Sequence, residues 1–122
     1  MKVKNRFASI IILIFLSLVF IASNCFAVDF KKDGYVVRIY WKQKNNDFQV
    51  WGDVQSGMKC KQLNLSLFFA NSKDSGSAHV EAAIRNYTSG PPMRYKASDK
   101  VYINNRYRKN WHVDSIYTEC LQ

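Results

Sequence analysis

Leu63-Asn64-Leu65-Ser66-Leu67-Phe68-Phe69 sets an apolar residue at every second position, with small polar residues at most of the positions between. In an extended chain successive side chains point to opposite faces, so Leu63, Leu65, Leu67 and Phe69 would share one buried face. A helix of 3.6-residue period would scatter the same four residues around its axis. The segment therefore reads as a half-buried strand.

The same period continues on both sides of it. Upstream, Phe48, Val50, Gly52 and Val54 alternate with Gln49, Trp51, Asp53 and Gln55, and Tyr35, Val37, Ile39 and Trp41 alternate with Val36, Arg38, Tyr40 and Lys42. Lys44-Asn45-Asn46-Asp47 lies between these runs, and Asn and Asp tolerate left-handed backbone angles, so the two strands read as a hairpin. Ser56-Gly57 breaks the pattern before Cys60.

Downstream, Asn71 to Ser77 is a turn, and Ala78 to Tyr87 sends Val80, Ala82 and Ile84 inward, with its alanines leaving a short helix as the alternative. Gly90-Pro91-Pro92 ends that segment, because proline cannot donate to a ladder. Arg94 to Ile103 is less regular, with Tyr95, Val101 and Tyr102 as its packing residues. The last strand, Asn110 to Cys120, sets Trp111, Val113, Ser115 and Tyr117 against His112, Asp114, Ile116 and Thr118. Val28 to Gly34 reads as a polar lead-in. About six strands joined by short turns predict an all-β domain, a sandwich or a small barrel.

Phe48-Gln49-Val50-Trp51-Gly52-Asp53-Val54-Gln55, followed by Leu63 to Phe69, resembles the V-x-G-x-V strand and the strand after it in the FxLYD-type immunoglobulin-like domains of exported prokaryotic proteins. The Tyr-Asp pair of that family's naming motif is absent, since Leu67-Phe68-Phe69-Ala70-Asn71 stands in its place. The resemblance implies a small antiparallel immunoglobulin-like sandwich with no associated catalytic site.

The front of the chain has a different character. Lys2, Lys4 and Arg6 precede the uncharged apolar run Phe7 to Ala22, which is the layout of a secretory signal, and Cys25 and Ala27 offer small residues before a cut after Ala27. An uncleaved anchor would need roughly 20 apolar residues, more than this run supplies. A lipoprotein reading, with Cys25 as the lipid-bearing N-terminus, would require a small residue where Asn24 stands. The expected organisation is a signal peptide over 1–27 and one domain over 28–122, placed in the periplasm or secreted. That domain keeps 95 of the 122 residues and carries fifteen Lys and Arg against nine Asp and Glu, so its basic balance does not come from the signal.

Only Cys60 and Cys120 remain to pair within such a domain, and in an exported protein two such thiols are expected to be joined. Two separate buried thiols are the alternative. A bridge closing a loop of about 60 residues would contribute about 4 kcal/mol in the chain-entropy account.

The catalytic inventory is thin. His112 and Asp114 stand two apart on one strand and are the best pair for proton transfer, but no elbow presents a serine such as Ser66 to them. A metal would need His79 to join that pair from another strand. The expectation is therefore no enzyme, no cofactor and no metal. The least random feature is charge: Arg94, Lys96, Lys100, Arg106, Arg108 and Lys109 face only Asp99 between residues 94 and 109, with Tyr95, Tyr102, Tyr107 and Trp111 interleaved or adjacent. Arg forks recognise carboxylate and phosphate, and rings add stiff contact area. Arg94, Tyr95, Lys96, Lys100, Arg106, Tyr107, Arg108, Lys109 and Trp111 are thus the expected binding residues for an acidic protein, an anionic envelope polymer or lipid headgroups. The bland alternative is a solvated basic loop. Nucleic acid fits the composition but not an exported protein. On this reading the chain is a noncatalytic exported binding domain of inhibitor, immunity or accessory type. Its rival is an assembly component acting through a free strand edge.

Overall fold

A computed structural model describes residues 27–122. The apolar leader and Cys25, and with them the expectations about export, cleavage and anchoring, lie outside the described residues. The described chain is all-β, with seven strands in order: β1 (Val28–Lys32), β2 (Tyr35–Lys44), β3 (Asp47–Gln55), β4 (Cys60–Asn71), β5 (Ser77–Tyr87), β6 (Met93–Lys100) and β7 (Trp111–Leu121). Every pairing is antiparallel. Sheet A has the order β1-β2-β3-β6 and sheet B the order β5-β4-β7. The two sheets bury Val37, Ile39, Phe48, Val50 and Val54 against Leu63, Leu65, Leu67, Phe69 and Val80, which confirms the alternation read for β2, β3 and β4.

Three expectations are corrected. The lead-in is a strand, β1, paired to β2 across Asp33-Gly34, both with positive φ (52° and 88°). Asp-Gly is the strongest short-range hairpin signal, so the turn was legible. Met93 to Lys100 is a regular strand that turns Tyr95 inward, as expected, together with Met93 and Ala97, which the charges between them mask in the sequence. After it Val101 and Ile103 are buried, whereas Tyr102 is 88% exposed.

The third correction concerns β7. Phe68 faces Ser115 and Phe69 faces Val113, so Asp114 is the extra residue of a bulge. A bulge shifts the phase of alternation by one. Trp111 and Val113 therefore point inward as expected, but beyond Asp114 it is Ile116 (6% exposed) that is buried and Tyr117 (57%) that faces solvent.

Cys60 and Cys120 are joined, with Cα atoms 5.4 Å apart, between the neighbouring strands β4 and β7 of sheet B. At the same end of the sandwich two tyrosines hold the β3–β4 connection. Tyr35 Oη donates to the carbonyl of Met58 (2.9 Å), Tyr87 Oη donates to that of Ser56 (2.5 Å), and the two rings meet edge to face.

Candidate functional site

The outward residues of β2, β3 and β6 build one face. The register places Arg38, Asp53 and Arg94 in a row, then Tyr40, Trp51 and Lys96, then Lys42, Gln49 and Ser98, then Lys44, Asp47 and Lys100. Tyr40 and Trp51 stack with ring centroids 5.8 Å apart and planes 8° from parallel. Outward side chains two residues apart on one strand are separated by about 7 Å, and neighbouring strands by about 4.8 Å. The result is a stacked aromatic pair, Tyr40 on β2 and Trp51 on β3, flanked by the cations Arg38, Lys42 and Lys44 on β2 and Arg94, Lys96 and Lys100 on β6.

Acidic residues neutralise only the margins of this face. Asp29 on β1 accepts from Arg38 Nε at 3.0 Å, which holds the Asp29 carboxyl below its ordinary range and raises Arg38. Asp47 pairs with Lys100, whose ammonium is raised by that hydrogen bond. Asp53 stands between Arg38 and Arg94, and its Oδ1 is buried without a hydrogen-bond partner among the described residues. Lys42, Lys44, Arg94 and Lys96 have no ion-pair partner among the described residues. Between them lies a groove of about 510 Å³ lined by Lys42, Gln49, Trp51, Lys96 and Ser98, with no carboxylate in its wall.

A hydrogen bond beneath this face ties its three strands from the inside. Tyr95 points inward from β6 opposite Gly52 of β3, and its hydroxyl donates to the carbonyl of Arg38 on β2 at 2.9 Å. A Cβ on Gly52 would stand 1.9 Å from that carbonyl oxygen and 3.0 Å from the Tyr95 hydroxyl, so only glycine leaves the passage open. Burial, then the nearby Asp53 carboxylate, pushes the Tyr95 phenol well above its ordinary value. One phenol thus spans three strands from the inside, and the outer surface is left to the charged side chains.

The nine residues singled out by composition divide three ways. Arg94, Lys96 and Lys100 belong to the face just described. Arg106, Arg108 and Lys109 are exposed in the β6–β7 connection, where the Arg106 guanidinium lies 4.7 Å from the centroid of the half-buried Tyr107 ring. Tyr95 and Trp111 are core residues, 7% and 5% exposed. The connection itself is held by two buried amides. Gln43 accepts from Trp111 Nε1–H and donates to the carbonyls of Asn45 and Ile103, while Asn71 donates to the carbonyl of Tyr107 and accepts from the backbone N–H groups of Lys73 and Asp74. Val101 N–H also donates to Asn46 at 2.9 Å, so the basic connection starts beside the β2–β3 turn, at the Lys44 and Lys100 end of the cationic lines.

No protein-family model, curated protein or solved structure matches this chain. The site is therefore read from its own geometry.

The outer face of sheet B differs in kind. His79 stacks on Phe68 with centroids 4.4 Å apart, and its Nε2 lies 3.5 Å from Glu81 Oε1. A smaller groove, about 280 Å³, is lined by Asn64, Ser66, Glu81 and Glu119. His112 and Asp114 are both exposed on β7, and no hydrogen bond or ion pair joins them among the described residues. The register sets His79 opposite Phe68 and His112 opposite Ala70, so the two histidines stand on opposite edge strands of sheet B with β4 between them.

Composition drew attention to residues 94–109 and passed over half of the face. Tyr40 and Trp51 were legible as outward members of their strands, beside Lys42 and Gln49. An outward Tyr and Trp on paired hairpin strands was the signal.

Proposed function

We propose that this protein is a noncatalytic binding domain, working outside the cytoplasm, that recognises an anionic partner with the outer face of sheet A. The observation that carries the reading is the groove beside Trp51, which has Lys42 and Lys96 in its wall, no carboxylate, and unpaired Lys44 and Arg94 beyond it. The fixed strands set the spacing of these cations before an anion arrives, so only their side chains, at about 0.5–1.5 kcal/mol each, remain to be ordered. The Cys60–Cys120 bridge and the leader-like front of the sequence both suit an oxidising compartment. The basic connection with Arg106, Arg108 and Lys109 would extend the same field at one end of the face.

Strand-edge assembly is the competing reading, and the way the edges are finished weighs against it. β1 has five residues, β7 carries the bulge at Asp114 and is covered by Lys32 over the Tyr117 ring and by Thr118 donating to Asp33, and the β5 edge gives the His79 N–H to Asp99 of β6. Short, bulged and covered edges are the usual guards against strand addition.

The test is retention on immobilised polyglutamate as salt is raised. Surface ion pairs are screened over about 3 Å at 1 M salt against about 10 Å at 0.1 M, so the protein should elute well before molar salt. Lys42→Ser with Arg94→Ser and Lys96→Ser should elute much earlier than the wild type, and Arg106→Ser with Arg108→Ser and Lys109→Ser should shift elution less. Retention that ignores salt, or a larger loss from the second triple variant, would reject the sheet A face as the binding surface.

A further inference from the structure

We infer that the ligand of this face is an acidic polysaccharide, a chain of pyranose rings bearing carboxylates, which packs one sugar against Trp51 and pairs its charges with Lys42 and Lys96. This assignment rests on the anion-binding reading above and narrows it to a substrate class. A patch that needed only charge would have no use for an aromatic pair, and an apolar partner would have no use for the cations. The groove supplies both within one small volume.

Three observations favour sugar over other anions. The first is shape. At about 510 Å³ the groove falls in the range of about 300–1,000 Å³ typical of clefts for small ligands or single chain segments, whereas a folded acidic protein would call for a broad patch of about 800 Å². The second is chemistry. One face of a pyranose presents a cluster of C–H bonds, slightly positive, and these pack on the electron-rich face of an indole. Tyr40 covers one side of Trp51 and holds the indole in place, while another part of Trp51 lines the groove. The amide of Gln49 and the hydroxyl of Ser98, in the row next to Trp51, suit the sugar's own hydroxyls.

The third is linear order. Cations recur along β2 and β6 on both sides of Trp51, with Arg94 in the row on one side and Lys42 followed by Lys44 on the other. The groove walls carry no acid, Asp47 and Asp29 are already taken by Lys100 and Arg38, and Asp53 stands outside the groove in the row of Arg38 and Arg94. A linear polymer with a charge on successive units could therefore lie along the strands, one ring stacked and its neighbours paired.

The experiment is titration calorimetry of the purified chain, disulfide formed, with short oligogalacturonate as probe and with the uncharged dextran oligomer, polyglutamate and oligo(dT) for comparison. Oligogalacturonate should bind most tightly of the four. Trp51→Ala should weaken it about ten- to a hundredfold, the usual worth of one ring-stacking contact, and Trp51→Phe should recover part of that loss. Near-UV circular dichroism of each variant separates loss of the contact from loss of the fold. If Lys42→Gln with Lys96→Gln weakens oligogalacturonate but Trp51→Ala does not, or if polyglutamate binds as tightly, the sugar assignment fails and the anion-binding face survives. Tighter binding of oligo(dT), dependent on Trp51, would transfer the site to single-stranded nucleic acid. If neither the lysine pair nor Trp51 changes the binding of any probe, both the sugar assignment and the face itself are overturned.

Discussion

Sheet B is built on β4, which drives Leu63, Leu65, Leu67 and Phe69 into the core and is tied to β7 by a covalent bridge, whereas sheet A has no such bridge and relies on a phenol threaded past a glycine. The outer surfaces differ to match. On sheet B, Glu81 and Glu119 border a small groove and Phe68 is covered by His79 and Tyr117; on sheet A, Lys42 and Lys96 line a larger groove together with Trp51. Fastening from the inside, as Tyr95 does, leaves the outside free for a ligand. Two layers sharing one apolar core are thus fastened differently, sheet B by a covalent bridge and sheet A by a hydrogen bond from within.

The largest effect should come from the bridge. Replacing Cys60 and Cys120 by Ser releases a loop with a sequence separation of 60, and the lost constraint is worth about 4 kcal/mol, read as a lower denaturant midpoint with little change in slope. Because the bridge lies in sheet B, the folded fraction should still bind polyanions through sheet A. An unchanged midpoint would mean that packing alone secures sheet B.

Gly52→Ala probes the other sheet. Its Cβ would overlap the Arg38 carbonyl and crowd the Tyr95 hydroxyl, so β2 and β3 must separate. The expected cost is about 1–3 kcal/mol, the usual range for overpacking a core. It should be accompanied by weaker anion binding, since the same two strands carry Tyr40 and Trp51. A stable variant with intact binding would show that the glycine slot is not what shapes the face.

The smallest effect at neutral pH is that of Tyr95→Phe, which removes one hydrogen bond to Arg38 and should cost about 1 kcal/mol. The alkaline behaviour is more telling. Tyr35, Tyr87 and Tyr95 are all raised above 10.0, each mainly by burial, so the folded state holds these protons more tightly than the unfolded state. Their contribution is complete below pH 10.0 and is lost as pH rises above it. Unfolding midpoints measured upward from neutral pH should therefore fall beyond that value, and fall less steeply in Tyr95→Phe. Equal slopes in the two proteins would place the alkaline sensitivity elsewhere.

The strands of the hairpin and of β4 were legible because a two-residue period with one apolar face leaves no other arrangement, and Asn45, at φ 55°, sits where the Asn-Asn turn was read. β1 reads as a polar lead-in and β6 as an irregular strand for one reason: dense charge hides the alternation of both. Alternation alone places Tyr117 on the inward face, because a bulge is a decision of the partner strand. Only when β7 is laid against β4 does Asp114 become the extra residue, and the phase beyond it reverse.

The same division holds for the site. The amino-acid sequence by itself determined that the domain is all-β and that positive charge would dominate, because these follow from alternation and composition, whereas it left Cys60 and Cys120 as either a bridge or two separate thiols until the fold brought them together. Tertiary structure alone decided which charges stand together. Lys42 and Lys96 are far apart along the chain but become diagonal neighbours across β3, beside a tryptophan that neither adjoins in sequence, while Tyr95 and Trp111, embedded in the basic stretch, turn inward. Which strands pair, and in what register, depends on how the apolar faces of the whole chain can be buried at once.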